Sequence, residues 1–237
     1  MFKIDSPLMN FLNRVSDIMI LNLMVILFSL PIFTAGAAIT AAYSIAYKMV
    51  KNEESYIVRG FFKAFKENFK QSTIIWLIFL LIFAVLFMDY RILFYSGLEI
   101  GGWIICGVVA VTVILAMGFS FVFPLQARFS NTVKNTIKNS FLMALSHLPS
   151  AVLFVISYAV PILLIYLVPQ IGPIILLLVC GLLPFLKSFL FLKIFKKYEP
   201  GEEEGTAEAL EEETQGEGIF AVSDAMEKMS EKDKKKK

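Results

Sequence analysis

Two cysteines and one histidine are all that 237 residues supply of the side chains most used for metal ligation and acid–base work. Cys106 and Cys180 each stand inside an apolar run, which argues against a structural disulfide and leaves two packing thiols. His147 precedes Leu148 and Pro149, a setting in which histidine hydrogen-bonds or snorkels more readily than it exchanges protons with a substrate. No HExxH, GxSxG, CxxC or phosphate-cradling glycine loop occurs. The expectation is therefore a protein that is not an enzyme, with no catalytic residue, cofactor or metal ion.

Charge is scarce too, at 18% of residues, and the 57% hydrophobic content excludes a chain that is disordered throughout. Its distribution is uneven. Residues 1–198 carry sixteen Lys or Arg against seven acids, whereas residues 199–237 carry six Lys against thirteen, so a basic body precedes an acidic tail. The basic residues flank apolar stretches, which favours contact with lipid headgroups and argues against nucleic acid as a partner. The N-terminus lacks the charged start, short apolar core and cleavage site of a secretory signal, so the first apolar segment is expected to be retained.

What the chain has in abundance is long apolar runs. Ile74 to Met88 is fifteen apolar residues without interruption, and from Ile100 to Leu125 only Gly, Thr, Ser and Pro break the series. About 20 such residues cross the ~30 Å of hydrocarbon, because each helical residue advances ~1.5 Å and the helix satisfies its own backbone. The spans expected are 17–34, 35–50, 72–95, 101–127, 149–168 and 171–195. The second is short and rich in alanine, with a re-entrant segment as the alternative.

Six crossings with the N-terminus inside place fourteen Lys or Arg in the inner segments and only Arg91 outside; five crossings weaken that division to twelve against three. The positive-inside rule thus favours six. The expected fold is all-α: a polytopic membrane helical bundle of six transmembrane helices, or five if residues 35–50 do not cross, with two amphipathic surface helices. Residues 1–198 are expected to form the bundle, in a plasma membrane with both termini cytoplasmic.

The first surface helix is read in "YIVRGFFKAFKENFKQ", where Val58, Phe61, Phe62, Phe65 and Phe69 recur at three- and four-residue spacing opposite Lys63, Lys66, Glu67 and Lys70. Phe61, Phe62, Phe65 and Phe69 form either a face on lipid and bundle or a partner surface. The second is "NTVKNTIKNSFLMAL", with Val133, Ile137, Phe141 and Leu145 on its apolar side. Beyond Tyr198, "EPGEEEGTAEALEEETQGEG" has nine acids and no base, as in a solvated linker. Ser223 then caps a candidate short helix over 223–234, either disordered or folding on a tail-binding partner or anionic lipid.

A charge at membrane depth calls for a functional hypothesis. Lys187 follows Pro184 by three residues within the sixth span, and Asp17 at the start of the first span is the best-placed acid, with Asn22 offering an amide more than a turn deeper. Asp17, Asn22 and Lys187 are the candidate intramembrane polar site, serving either structural pairing or contact with a solute. Pro161, Pro169, Pro173 and Pro184 mark kinks or ends in the last two spans.

Three stretches carry a family resemblance: "FLNRVSDIMILNLMVILFSLPIFTAGAAITAAYSIAYKMV", "RGFFKAFKENFKQSTIIWL" and "FVFPLQARFSNTVKNTIKNSFLMALSHLP". They include Arg14, Asp17 and Asn22; Pro31, Thr34, Gly36, Ala37 and Ala38; Phe65, Asn68 and Phe69; and Pro124, Arg128, Asn139, His147 and Pro149. Over residues 8–195 the chain resembles the YesL family of bacterial membrane proteins. That family has no established activity and is associated with sugar-uptake gene clusters of Gram-positive-type bacteria. The resemblance implies an accessory or regulatory membrane component that works with carbohydrate importer subunits; the alternative is a small solute transporter or channel in its own right.

Overall fold

The computed structural model describes residues 7–53, 56–95 and 101–198, and every regular element among them is helical. The acidic tail, with the short helix expected at 223–234, lies outside the described residues. In chain order the helices are α1 (Pro7–Ser29), α2 (Ala35–Val50), α3 (Ile57–Tyr95), α4 (Gly102–Arg128), α5 (Val133–Ser146), α6 (Leu148–Leu167) and α7 (Gly172–Phe195). Short 3-10 turns at Ile32–Thr34 and Pro169–Ile171 join α1 to α2 and α6 to α7. One compact unit runs to Leu192. The second begins at Lys193, and its described part is the last turn of α7 followed by a turn in which the Tyr198 N–H donates to the Phe195 carbonyl at 2.8 Å.

Four segments among the described residues are long and apolar enough to cross a membrane: Leu12–Ser29, Ile57–Tyr95, Gly102–Arg128 and Leu148–Leu167. Their outer faces stay apolar and uncovered, with Leu81, Phe87 and Leu163 more than half exposed. Such continuous greasy surface suits lipid rather than water.

The centre of the first unit is α2. Eleven of its sixteen residues are buried, including Ala37, Ala38, Ala41, Ala42 and Ala46. Small side chains let neighbouring backbones come close, which is how helices associate where both surroundings and surfaces are apolar. The segment expected to be least secure is thus a regular helix throughout, and its ~24 Å length at ~1.5 Å per residue is enclosed by other helices along most of its surface. The α1–α2 connection is closed by Thr34, whose hydroxyl donates to the Phe28 carbonyl at 2.6 Å and lies 2.7 Å from that of Pro31. From α3 the Trp76 indole N–H donates to the Ile32 carbonyl at 2.7 Å and pins the same corner.

Two expectations need correction. The first surface helix and the third span are a single helix, because nothing between Ile57 and Tyr95 interrupts it: proline is absent and Gly60 alone is a weak breaker. At ~1.5 Å per residue α3 is ~58 Å long, well beyond the ~30 Å of hydrocarbon, so its lysine-bearing first third projects past the apolar layer. On α5, Thr136, Ser140, Met143 and Ala144 are the buried residues, while Val133, Ile137 and Phe141 are half-buried and Leu145 is exposed. The inward face is rotated from the apolar stripe because Thr136 has a polar partner on α4, described below.

At Gly36, a Cβ would lie 2.6 Å from Trp76 Cβ and 2.7 Å from the Ser72 carbonyl oxygen of α3. Gly36→Val is therefore expected to destabilise the detergent-solubilised protein by about 1–3 kcal/mol through overpacking. Gly107→Val, whose Cβ meets nothing within 4 Å, should leave the unfolding temperature in place. Thermal unfolding followed by intrinsic fluorescence checks both.

Candidate intramembrane polar site

Four buried rings, Tyr43 of α2, Phe121 of α4, Phe154 of α6 and Phe191 of α7, form the inner packing of the bundle. Phe154 and Phe191 stack at 4.3 Å between centroids, and Phe121 and Tyr43 meet Phe191 edge-on at 5.2 and 5.8 Å. One helical turn away along α6 and α7 stand Tyr158 and Lys187. The Lys187 ammonium lies 3.0 Å from the centroid of the Tyr158 ring and donates to the Phe154 carbonyl at 3.3 Å. A desolvated cation over an aromatic face gains about 2 kcal/mol, and Lys187 shares the Phe154 carbonyl with the Ser157 hydroxyl, which donates to it at 2.6 Å.

The hydroxyls extend this contact across the bundle. Tyr158 and Tyr43 share a hydrogen bond at 3.3 Å, and one turn along α2 the Tyr47 hydroxyl donates to the Pro124 carbonyl of α4 at 3.1 Å. Ser188, beside Lys187, donates to the Pro184 carbonyl at 2.6 Å.

The three residues expected to form one polar site are not brought together. Asn22 is buried, and its Oδ1 accepts from the Gly181 N–H of α7 at 2.8 Å. The two helices touch there, since a Cβ on Gly181 would stand 2.9 Å from Asn22 atoms. Gly181 and Lys187 are six residues apart, ~9 Å along the helix. Asp17 borders a recess of about 520 Å³ with Arg14 and Asn52. Among the described residues no ion pair joins Asp17 to Lys187, because the ammonium is turned to α6, where a ring face and a carbonyl receive it. Arg14 instead ties α1 to the α2–α3 connection by donating to the Met49 carbonyl and to Asn52 Oδ1.

The phenylalanine face of α3 also turns inward in part. Phe61 is fully buried and Phe65 half-buried, and the Phe28 ring of α1 lies 5.6, 5.1 and 5.1 Å from Phe61, Phe62 and Phe65. Phe62 and Phe69 keep the larger exposed areas.

Sequence reasoning missed Tyr43, Tyr47 and Tyr158, although two tyrosines four residues apart in an alanine-rich helix are a detectable signal. It also missed an amide cluster at the end of α4. There the Gln126 amide donates to Gln71 Oε1 at 2.6 Å and lies 3.5 Å from Asn68 Oδ1, while the Thr136 hydroxyl donates to Gln126 Oε1 at 2.9 Å.

Helices with apolar outer faces, joined inside by polar contacts between spans, define a helical integral membrane protein. A family model described as "Protein of unknown function, DUF624" matches residues 18–90, which run from within α1 through α2 and most of α3. No curated protein and no solved structure matches the chain.

Lys187→Met is expected to change stability by less than about 1 kcal/mol, because the lost cation–π contact is offset by removal of a charge costing ~3 kcal/mol at membrane depth. Tyr158→Leu should cost about 2 kcal/mol, leaving the ammonium without its ring and Tyr43 without its hydroxyl partner. Combining the two should cost less than Tyr158→Leu alone, a coupling that a double-mutant cycle on thermal unfolding measures.

Proposed function

We propose that this chain is a non-enzymatic accessory or regulatory component of the bacterial plasma membrane, associated with carbohydrate uptake, and that it belongs with the YesL family. In this reading α1, α2, α3, α4, α6 and α7 cross the membrane six times, with both termini in the cytosol. The observation that carries it is the gathering of Lys48, Lys51, Lys63, Lys70 and Arg128 around one cleft, at the C-terminal ends of α2 and α4 and the first third of α3. Arg91, on the far part of α3, stands apart from them. By the positive-inside rule the cationic end faces the cytosol, where importer subunits and their energy-coupling partners are accessible. The exposed Phe62 and Phe69 supply apolar area beside the lysines of α3 for such a contact. The link to carbohydrate rests on the resemblance alone.

An accessory role is favoured over transport because Lys187 is engaged by α6, Asn22 by α7, and Thr40 of α2 by Ser72 of α3 at 2.9 Å. A second reading, a small solute transporter, draws on the same Lys187–Tyr158–Tyr43 contact and on Pro161 and Pro184 inside α6 and α7.

Single cysteines at Lys66 and Lys138, in a background lacking Cys106 and Cys180, should react with an impermeant maleimide only after the cells are opened. In-cell cross-linking of sugar-grown cells should recover importer subunits. Labelling on intact cells would reverse the orientation, and a cross-linking map without importer subunits, together with sugar flux through proteoliposomes of the purified chain, would install the transporter reading instead.

A further inference from the structure

The cleft bordered by these cations has a volume of about 910 Å³, near the upper end of the ~300–1,000 Å³ typical of small-ligand pockets. Lys48 and Lys51 come from the end of α2, Lys63 and Lys70 from two turns of one α3 face, and Arg128 from the last position of α4. Among the described residues Glu53 and Glu67 oppose them, so five cationic side chains meet two carboxylates around one concavity. Low-dielectric walls focus such a field and raise the local concentration of anions.

The remaining lining is neutral and polar. Gln126 is buried and held by Gln71 and Thr136, which makes that wall a fixed set of amides. Tyr47 and Ser44 of α2 are anchored to the Pro124 and Ala127 carbonyls at 3.1 and 3.4 Å. Thr132 caps α5, its hydroxyl accepting from the Asn135 N–H at 3.4 Å, so this fourteen-residue helix begins at the cleft. Its N-terminal dipole end adds positive potential to that of the side chains.

We propose that this cleft binds a phosphate ester bearing hydroxyl groups. Arg128 and the lysines neutralise the phosphate, the guanidinium fork matching its oxygens, and the half-buried Gln71 amide and the exposed Ser130 hydroxyl meet the ester's hydroxyls. A glycerophospholipid headgroup and a soluble polyol phosphate share this chemistry. The site stands on its own geometry and survives failure of the importer link.

The full-length protein in phosphatidylcholine nanodiscs is titrated with glycerol 3-phosphate, with glycerol and sodium chloride at matched ionic strength as controls, and binding is read by calorimetry and by thermal shift. A parallel arm replaces part of the lipid with phosphatidylglycerol and counts retained lipid by native mass spectrometry. Saturable binding in either arm is expected, weakened about tenfold or more by Lys63→Gln and by Arg128→Gln, since each removes a charge-assisted bond. Arg91→Gln should leave it unchanged. Binding to glycerol 3-phosphate identifies a soluble source and retention of phosphatidylglycerol a lipid one. No binding in either arm, or binding that both cleft variants retain at full strength while folded, overturns the site.

Discussion

The close approach of neighbouring helices to α2 is the constraint on which the rest of the first unit depends. A lipid-embedded bundle gains nothing from expelling water between spans, so contact area and interhelical hydrogen bonds must hold it together. The alanines of α2 provide the first, because a helix without bulk lets α1, α3 and α4 reach its backbone. Thr40 provides the second, reaching Ser72 of α3 at 2.9 Å just where Gly36 leaves room for that helix. Filling α2 with leucine would push every partner outward by the width of a side chain, and the hydroxyls that join helices would lose reach.

That same closeness places the tyrosines. Tyr43 and Tyr47 are the aromatic residues of an alanine-rich helix, and each extends past the alanines to a different neighbour: Tyr43 to Tyr158 of α6, Tyr47 to Pro124 of α4. A helical carbonyl keeps a second lone pair, so the Tyr47 hydroxyl finds an acceptor at Pro124 within an apolar helix. Lys187 benefits in turn. Its ammonium rests on a ring whose hydroxyl is held by Tyr43, and a held ring keeps a cation better than a rotating one. A carboxylate was the natural partner to expect, yet it would have to be desolvated as well, whereas a ring face and a helix carbonyl ask for little further desolvation.

The helices were legible because hydropathy and proline act locally. The stretch 35–50 coincides with α2, and the expected 101–127, 149–168 and 171–195 differ from α4, α6 and α7 by a residue or so at each end. Where polar and apolar segments join without a breaker, hydropathy misleads: α1 starts at Pro7, ten residues before its apolar run, and α3 extends back to Ile57. Periodicity found the Phe61 face but not its use, since Phe28 of α1 supplies the cover and sequence spacing within α3 carries no trace of α1. The polar site was read by charge type alone, pairing Lys187 with the best-placed acid. Its actual neighbours are a carbonyl and a ring, residue types too common in this chain to stand out.

The two polar regions meet different demands. Inside the spans Thr40, Asn22, Tyr43 and Tyr47 find partners on neighbouring helices, since lipid offers none. At the end of the bundle water serves that purpose, so cations can stand in surplus over carboxylates around the cleft. Tyr47 belongs to both: it lines the cleft and also fixes α2 to α4 from within. Gln126, two residues past Pro124, likewise lines the cleft while bonding α3 and α5. The contacts that set the cleft's walls are therefore the contacts that pack the bundle, and the cleft inherits its rigidity from the alanine-lined helix at the centre.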